Sequence, residues 1–277
     1  MKNIARIALA TSMVAFLAGC PKQKDEGAMT QAEAKAALEE STVDSQAAAL
    51  TTSSVEIATN FTIGKAVKDA AAEVRDFIQS QLACAEITLV DAKLTVVYGA
   101  KPGNCTWKGH TITGTHSITV AKTDGNIEVD HDWKDLSNGV VKVTGTAHVT
   151  WDFDAKSRHV EHDLTWTRLK DGKTGRGTGD RTQTALAGGI AEGIQVDGSR
   201  TWTGSAGRWD LAIEGVQMRW QDPCPQAGSY RLVSPKGRSL SLSFNRVDED
   251  SIEVTLKNDT KEFKFTVSSI GDVDDGA

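Results

Sequence analysis

Val141-Lys142-Val143-Thr144-Gly145-Thr146-Ala147-His148-Val149-Thr150-Trp151-Asp152-Phe153 places apolar or small residues at every odd position and Lys, Thr, His or Asp at every even one. In an extended chain successive side chains leave opposite faces, so this segment buries one face and wets the other. Such a pattern belongs to an antiparallel sheet solvated on one side. Val160, His162, Leu164 and Trp166 carry the apolar phase into the next strand. The same alternation runs through Ile112 to Val120, Ile127 to Trp133, Trp209 to Ile213, Leu240 to Phe244, Ile252 to Leu256 and Phe263 to Val267. Asp124-Gly125, Asn138-Gly139 and Asp171-Gly172 supply the residue types that tolerate the positive φ of tight hairpins. Near Gly215 the apolar phase slips from Trp209, Leu211 and Ile213 to Val216, Met218 and Trp220, which predicts a bulge.

Gly114, Gly145 and Gly198 recur in similar short motifs, each at a position whose side chain would point inward. Glycine in a strand interior weakens it and marks a bend, and repeated inward glycines let long strands coil. The expected fold class is mainly β: a strongly curved antiparallel meander or barrel-like sheet of roughly eleven to thirteen strands. The outward Lys, Thr, His and Asp argue against a transmembrane barrel, whose lipid face must be apolar. Upstream, Val67, Ala70, Ala71, Val74, Phe77, Ile78 and Leu82 follow three- and four-residue steps. They predict one N-terminal amphipathic helix over 63–82 that caps the sheet. The sheet and this helix make up a β domain spanning 63–270, followed by an acidic tail, 271–277. From Pro21 to Ala58 the chain is rich in Ala, Ser, Thr, Glu and Gln and lacks aromatic residues. Residues 20–62 are therefore expected to form a flexible tether, with at most transient helix around Gln31 to Glu40.

The first 19 residues read as a signal peptide. Lys2 and Arg6 precede an apolar run from Ile7 to Phe16, far short of the roughly 20 residues that span a bilayer. Leu17-Ala18-Gly19-Cys20 resembles the bacterial lipobox. That resemblance implies lipidation of Cys20 and attachment to the membrane through N-terminal acyl chains, two or more of which anchor stably. Pro21, where inner-membrane retention favours Asp, implies an outer-membrane lipoprotein on the periplasmic or cell-surface face. Farther on, Gly103-Asn104-Cys105-Thr106, Gly109-His110-Thr111-Ile112-Thr113-Gly114, Asn138-Gly139 through Thr146, Lys170 through Thr174 and Asp222-Pro223-Cys224 resemble a pattern of uncharacterised β-rich bacterial lipoproteins. The resemblance covers about Cys84 to Val267 and implies secretion, lipidation and a β-rich fold, with no activity attached. Related chains often carry a partner for Cys224 about one hairpin later, and this chain has none there.

The full chain has 277 residues and a net charge of −6, with 25% charged and 39% hydrophobic residues. This argues against nucleic acid as a partner and against a multi-span membrane protein. After Cys20, the thiols Cys84, Cys105 and Cys224 permit three pairings in an oxidising compartment, of which Cys84–Cys105 closes the shortest loop. His116, His131 and His162 share the inward phase and would form a zinc site if their registers aligned. Ordinary core histidines are the plainer account, and no metal or cofactor is expected. Gly175-Arg176-Gly177-Thr178-Gly179 reads as a glycine-rich strand, because it lacks the helix and the Lys-Ser/Thr pair of a phosphate loop. No nucleophile elbow, zinc-binding helix or triad pattern appears, so no catalytic residue is assigned.

Trp151, Trp166, Trp202 and Trp209 lie in the apolar phase, as core fillers or as the lining of a ligand groove. The function expected is a non-catalytic structural or binding module of the cell envelope, whose partner is an envelope protein, lipid or polysaccharide. The alternative is a carrier or sensor of an apolar ligand held in a Trp-lined concave face. A further alternative is an envelope-polymer hydrolase using a carboxylate pair.

Overall fold

The computed structural model describes residues 29–59, 66–123, 126–152, 155–220, 222, 224–268 and 273–275. The signal segment, the lipobox with Cys20 and the Asp124-Gly125 turn lie outside the described residues. Two helices, α1 (Gln31–Ile57) and α2 (Val67–Gln81), come first. The strands follow as β1 (Glu86–Val90), β2 (Lys93–Tyr98), β3 (Thr106–Trp107), β4 (His110–Thr111), β5 (Thr113–Thr123), β6 (Asn126–Ser137), β7 (Val141–Asp152) and β8 (Ser157–Arg168). They continue as β9 (Thr174–Leu186), β10 (Gly189–Gly204), β11 (Gly207–Arg219), β12 (Ala227–Val233), β13 (Ser239–Arg246), β14 (Ser251–Lys257), β15 (Glu262–Ser268) and β16 (Val273–Asp275).

Fourteen strands form one antiparallel sheet in sequence order, and β3 and β4 make a separate hairpin. Sequential pairing is what short hairpin connections impose. Among the described residues no ladder joins β1 to β16, so the sheet is open and the barrel-like closure is not made. The deciding segment is β7, with Val141, Val143, Ala147 and Val149 buried. It pairs in register with β8 from Val141↔Arg168 to Asp152↔Ser157. The slip at Gly215 is a bulge: β11 skips between Glu214 and Gln217 against β12, and the Gly215 N–H donates to Asp197 Oδ1 at 2.7 Å. Gly145 has φ +146°, and a Cβ there would lie 2.2 Å from the Asp163 carbonyl oxygen, so β7 and β8 approach too closely for any side chain. In β9 the glycines make room for rings on β8. A Cβ on Gly175 would meet Trp166 at 2.3 Å, and one on Gly179 would meet His162 at 2.4 Å.

The tether expectation is corrected. Residues 31–57 form a 27-residue helix, and every residue from Glu40 to Ile57 is buried. Thr30 caps it: its hydroxyl accepts from the Glu33 N–H, and the Glu33 carboxylate accepts from the Thr30 N–H. No Gly or Pro interrupts it. It has no apolar stripe, because Ala, Ser and Thr surround it on all sides. Their small side chains keep the rod slim enough to be enclosed.

Helix α1 touches β7, β8, β15 and β16, and its side chains or backbone bond to residues of β3, β10 and β12. In a flat sheet β7 and β16 would stand nine spacings of about 4.8 Å apart, some 43 Å, whereas a helix is about 10–12 Å thick. The sheet therefore bends around α1. The single N-terminal helix is likewise corrected to two. Helix α2 buries Ala70, Ala71, Val74 and Ile78 and packs on β1, β2 and β5.

Part of the expected acidic tail is also structured, since β16 pairs with β15 and buries Val273. Cys84 and Cys105 form a disulfide with Cα atoms 5.4 Å apart, fastening the exit of α2 to the start of β3. Cys224 is a buried free thiol. No helix among the described residues is long and apolar enough to cross a membrane.

Candidate binding cleft and polar interior

The inward phase of three neighbouring strands carries arginines: Arg158 on β8, Arg181 on β9 and Arg200 on β10, each almost fully buried. Burying a guanidinium requires a partner, and α1 supplies it. Asp44 Oδ2 lies 2.8 Å from Arg200 Nη1. Arg200 Nη2 also donates to Ser45 Oγ at 3.2 Å and to the Tyr230 hydroxyl at 3.0 Å, tying α1 to β10 and β12 together. One end of the helix repeats the device, with Glu56 pairing with Arg158. At the other end Trp202 Nε1 donates to Glu40 Oε1 at 3.4 Å. Burial pushes the Asp44 carboxyl up, against the pull of Arg200 and Arg181. Burial and then the Arg200 charge press the Arg181 guanidinium down. Arg181 Nη2 rests 2.8 Å from His162 Nδ1.

The three inward histidines are not brought together. His116 Nε2 lies 2.9 Å from His131 Nδ1 with the rings stacked, and Tyr98 closes the other end at 3.2 Å from His116 Nδ1. Trp133 stacks on both rings. His162 instead belongs to Arg181, so the zinc trio is not assembled. Among the described residues no group of three or more His, Cys, Asp or Glu could hold a metal ion. Burial holds His116 down to about 3 and His131 well below the ordinary histidine value. On the wet face His148 pairs with Asp130, His159 with Asp180 and Arg176 with Asp163.

The four candidate tryptophans part company. Trp166, Trp202 and Trp209 are buried core, and Trp202 and Trp209 stack across the β10–β11 hairpin with centroids 6.0 Å apart. Trp151 is half-buried and lines a cleft of about 460 Å³ beside the C-terminal end of α1. Arg158, Gln183, Lys156, Ile190 and Ile194 share that wall with Glu56. The Arg158 guanidinium sits 5.2 Å from the Trp151 ring centre, and its Nε donates to Gln183 Oε1 at 2.7 Å.

Sequence reasoning passed over α1 and its arginines. The signal was present: Arg158, Arg181 and Arg200 share strand parity with Trp166, Gln183 and Trp202, so the alternation already turned three cations inward. Inward cations demand an acidic occupant, and Thr30-x-x-Glu33 ahead of an uninterrupted run marks the start of a helix that could supply one. No protein-family model, curated protein or solved structure matches this chain.

Proposed function

We propose that this chain is a lipid-anchored, non-catalytic binding module of the cell envelope, held at the outer membrane through Cys20. One observation supports the non-catalytic part most directly: the buried acids of α1 face cations or a tryptophan of the sheet, which makes them structural partners. Groups engaged in this way hold the fold together and do not await a substrate. The lipobox resemblance supports the anchor. With α1 starting at Gln31, the ten residues 21–30 span at most about 35 Å, which keeps the curved, open sheet close to the bilayer. The test is metabolic labelling with an alkyne-tagged palmitate in a bacterial host, followed by membrane fractionation. The wild type should carry the label and float with the outer membrane, and Cys20→Ala should lose both. An unlabelled wild type would refute the anchor, and cross-linking in intact cells that captures no defined envelope component would refute the module.

A second reading, carriage or sensing of an apolar ligand, draws on the cleft at Trp151. The ligand position moves from the concave face, which α1 fills, to the cleft beside the helix end.

A further inference from the structure

The strands turn at two ends of the sheet, and the two ends differ in charge. At the end where α1 begins, the β8–β9 hairpin carries Arg168, Lys170 and Lys173, the β10–β11 hairpin Arg208, and the β12–β13 hairpin Lys236 and Arg238. Contacts with the first turns of α1 place them there. Lys236 and Arg238 each lie 3.4 Å from the Glu33 carboxylate, Gly204 lies against Glu40, and Lys173 and Arg168 act on the Glu40 charge. Three acids stand on this rim: Asp171 pairs with Arg168, Asp210 with Arg208, and Glu33 faces the last hairpin. Cations therefore outnumber acids there two to one. Beneath the rim Lys35 offsets Glu39, and Glu40 is buried. The neighbouring β14–β15 hairpin is neutral, with Asp259 and Glu262 against Lys257 and Lys261. At the far end of the strands the ratio is inverted. Among the described residues the β11–β12 and β13–β14 turns set Asp222, Asp248, Glu249 and Asp250 against Arg219 and Arg246.

The basic rim also exposes apolar side chains at its tips. Leu169 is 46% exposed, Val140 40% and Val233 38%. The Val140 carbonyl accepts from the Leu169 N–H at 2.9 Å, so those two tips are neighbours. Val247 is more exposed, but it stands at the far end beside Asp248, Glu249 and Asp250. Small apolar tips among cations suit a boundary where phosphates lie over acyl chains. Lys and Arg give charge-assisted hydrogen bonds to such phosphates. The chain path agrees: residues 21–30 join Cys20 to the start of α1, at this same end. The other end of the 27-residue helix, with the Trp151 cleft, stands about 40 Å farther along its axis.

We propose that this basic rim is a docking surface for anionic phospholipid headgroups. It holds the sheet on the bilayer with the start of α1 against the surface, and turns the acidic end and the Trp151 cleft away from it. The proposal rests on the anchor at Cys20: acyl chains bring the rim to the membrane, and the rim fixes the orientation, the division of labour usual for a lipid chain and a basic patch.

The test uses the lipidated full chain in phosphatidylcholine vesicles, with or without phosphatidylglycerol, that also carry a nitroxide lipid as quencher. A nitrobenzoxadiazole dye is attached through Leu169→Cys in one protein and Val247→Cys in another. With phosphatidylglycerol present, the dye at 169 should be quenched at least about threefold more than the dye at 247. Raising salt to about 1 M, where the Debye length is about 3 Å, should remove most of that difference. Lys170→Glu combined with Lys236→Glu should remove it as well, while circular dichroism stays native and the protein still floats with the vesicles. Equal quenching at the two positions in floating protein overturns the docking and leaves the anchor standing. So does a difference that ignores phosphatidylglycerol, salt and the two substitutions. A protein that does not float overturns the anchor, and this docking with it.

Discussion

Replacing Asp44 by Ala removes the carboxylate that stands 2.8 Å from Arg200 and leaves a guanidinium only 3% exposed. Removing one member of a buried ion pair costs about 3–5 kcal/mol, because the remaining charge is left desolvated. Here Arg200 keeps the Asp44 backbone carbonyl at 3.3 Å, Ser45 and Tyr230 as acceptors. These contacts hold the expected loss near the lower end, about 3 kcal/mol. The nearby Arg181 works the other way, since its repulsion with Arg200 loses a screening anion. With a urea dependence of up to about 3 kcal/mol per molar, the midpoint should fall by roughly 1 M or more. The double change Asp44→Leu with Arg200→Met removes both charges and should return most of the loss, as apolar replacement of buried pairs often does. Urea unfolding followed by tryptophan fluorescence reads all three proteins. If Asp44→Ala stays within 0.5 kcal/mol of wild type, or the double variant is no more stable than the single, then charge does not clamp α1 inside the sheet.

Acid should weaken the protein before carboxylates titrate. Burial lowers His116 to about 3 and also lowers His131, so each is neutral when folded and protonates near 6.5 only when unfolded. Stability from this source is complete above about pH 6.5 and falls by about 1.4 kcal/mol per pH unit per histidine below it. Urea midpoints between pH 7 and 5 should drop accordingly, and His116→Gln should flatten the slope; a level wild-type profile would contradict the burial argument. Reduction of Cys84–Cys105, with 21 residues of sequence separation, should cost about 3 kcal/mol, measured as the shift between oxidised and Cys84→Ala/Cys105→Ala chains. Burial pushes the Cys224 thiol up, so iodoacetamide near pH 8 should leave it unmodified in the native chain and alkylate it in denaturant. Modification at equal rates in both states would place Cys224 at the surface.

The alternation in β7 and its neighbours made the sheet legible, because period-two burial is a property of each strand by itself and needs no knowledge of what lies opposite. The bulge at Gly215 was legible for the same reason: a change of parity is visible in one strand. Helix α1 was not. Its Ala, Ser and Thr carry no stripe, and a rod of such residues is a solvated tether or a buried core according to what surrounds it. Its cationic partners come from strands a hundred or more residues away, and only their curvature brings Arg158 to Glu56 and Arg200 to Asp44.

The same distinction governs the candidate site. Chain order alone determined which side chains face inward, including Trp151, Trp166, Trp202, His116, His131 and His162. Only the tertiary structure decided that Trp166 and Trp202 are core, that His162 stands with Arg181 and away from His116 and His131, and that Trp151 borders a cleft. Facing inward is a local consequence of backbone geometry. Whether the inside is filled depends on how fourteen strands bend together, and that bend is a sum over contacts that no single segment contains.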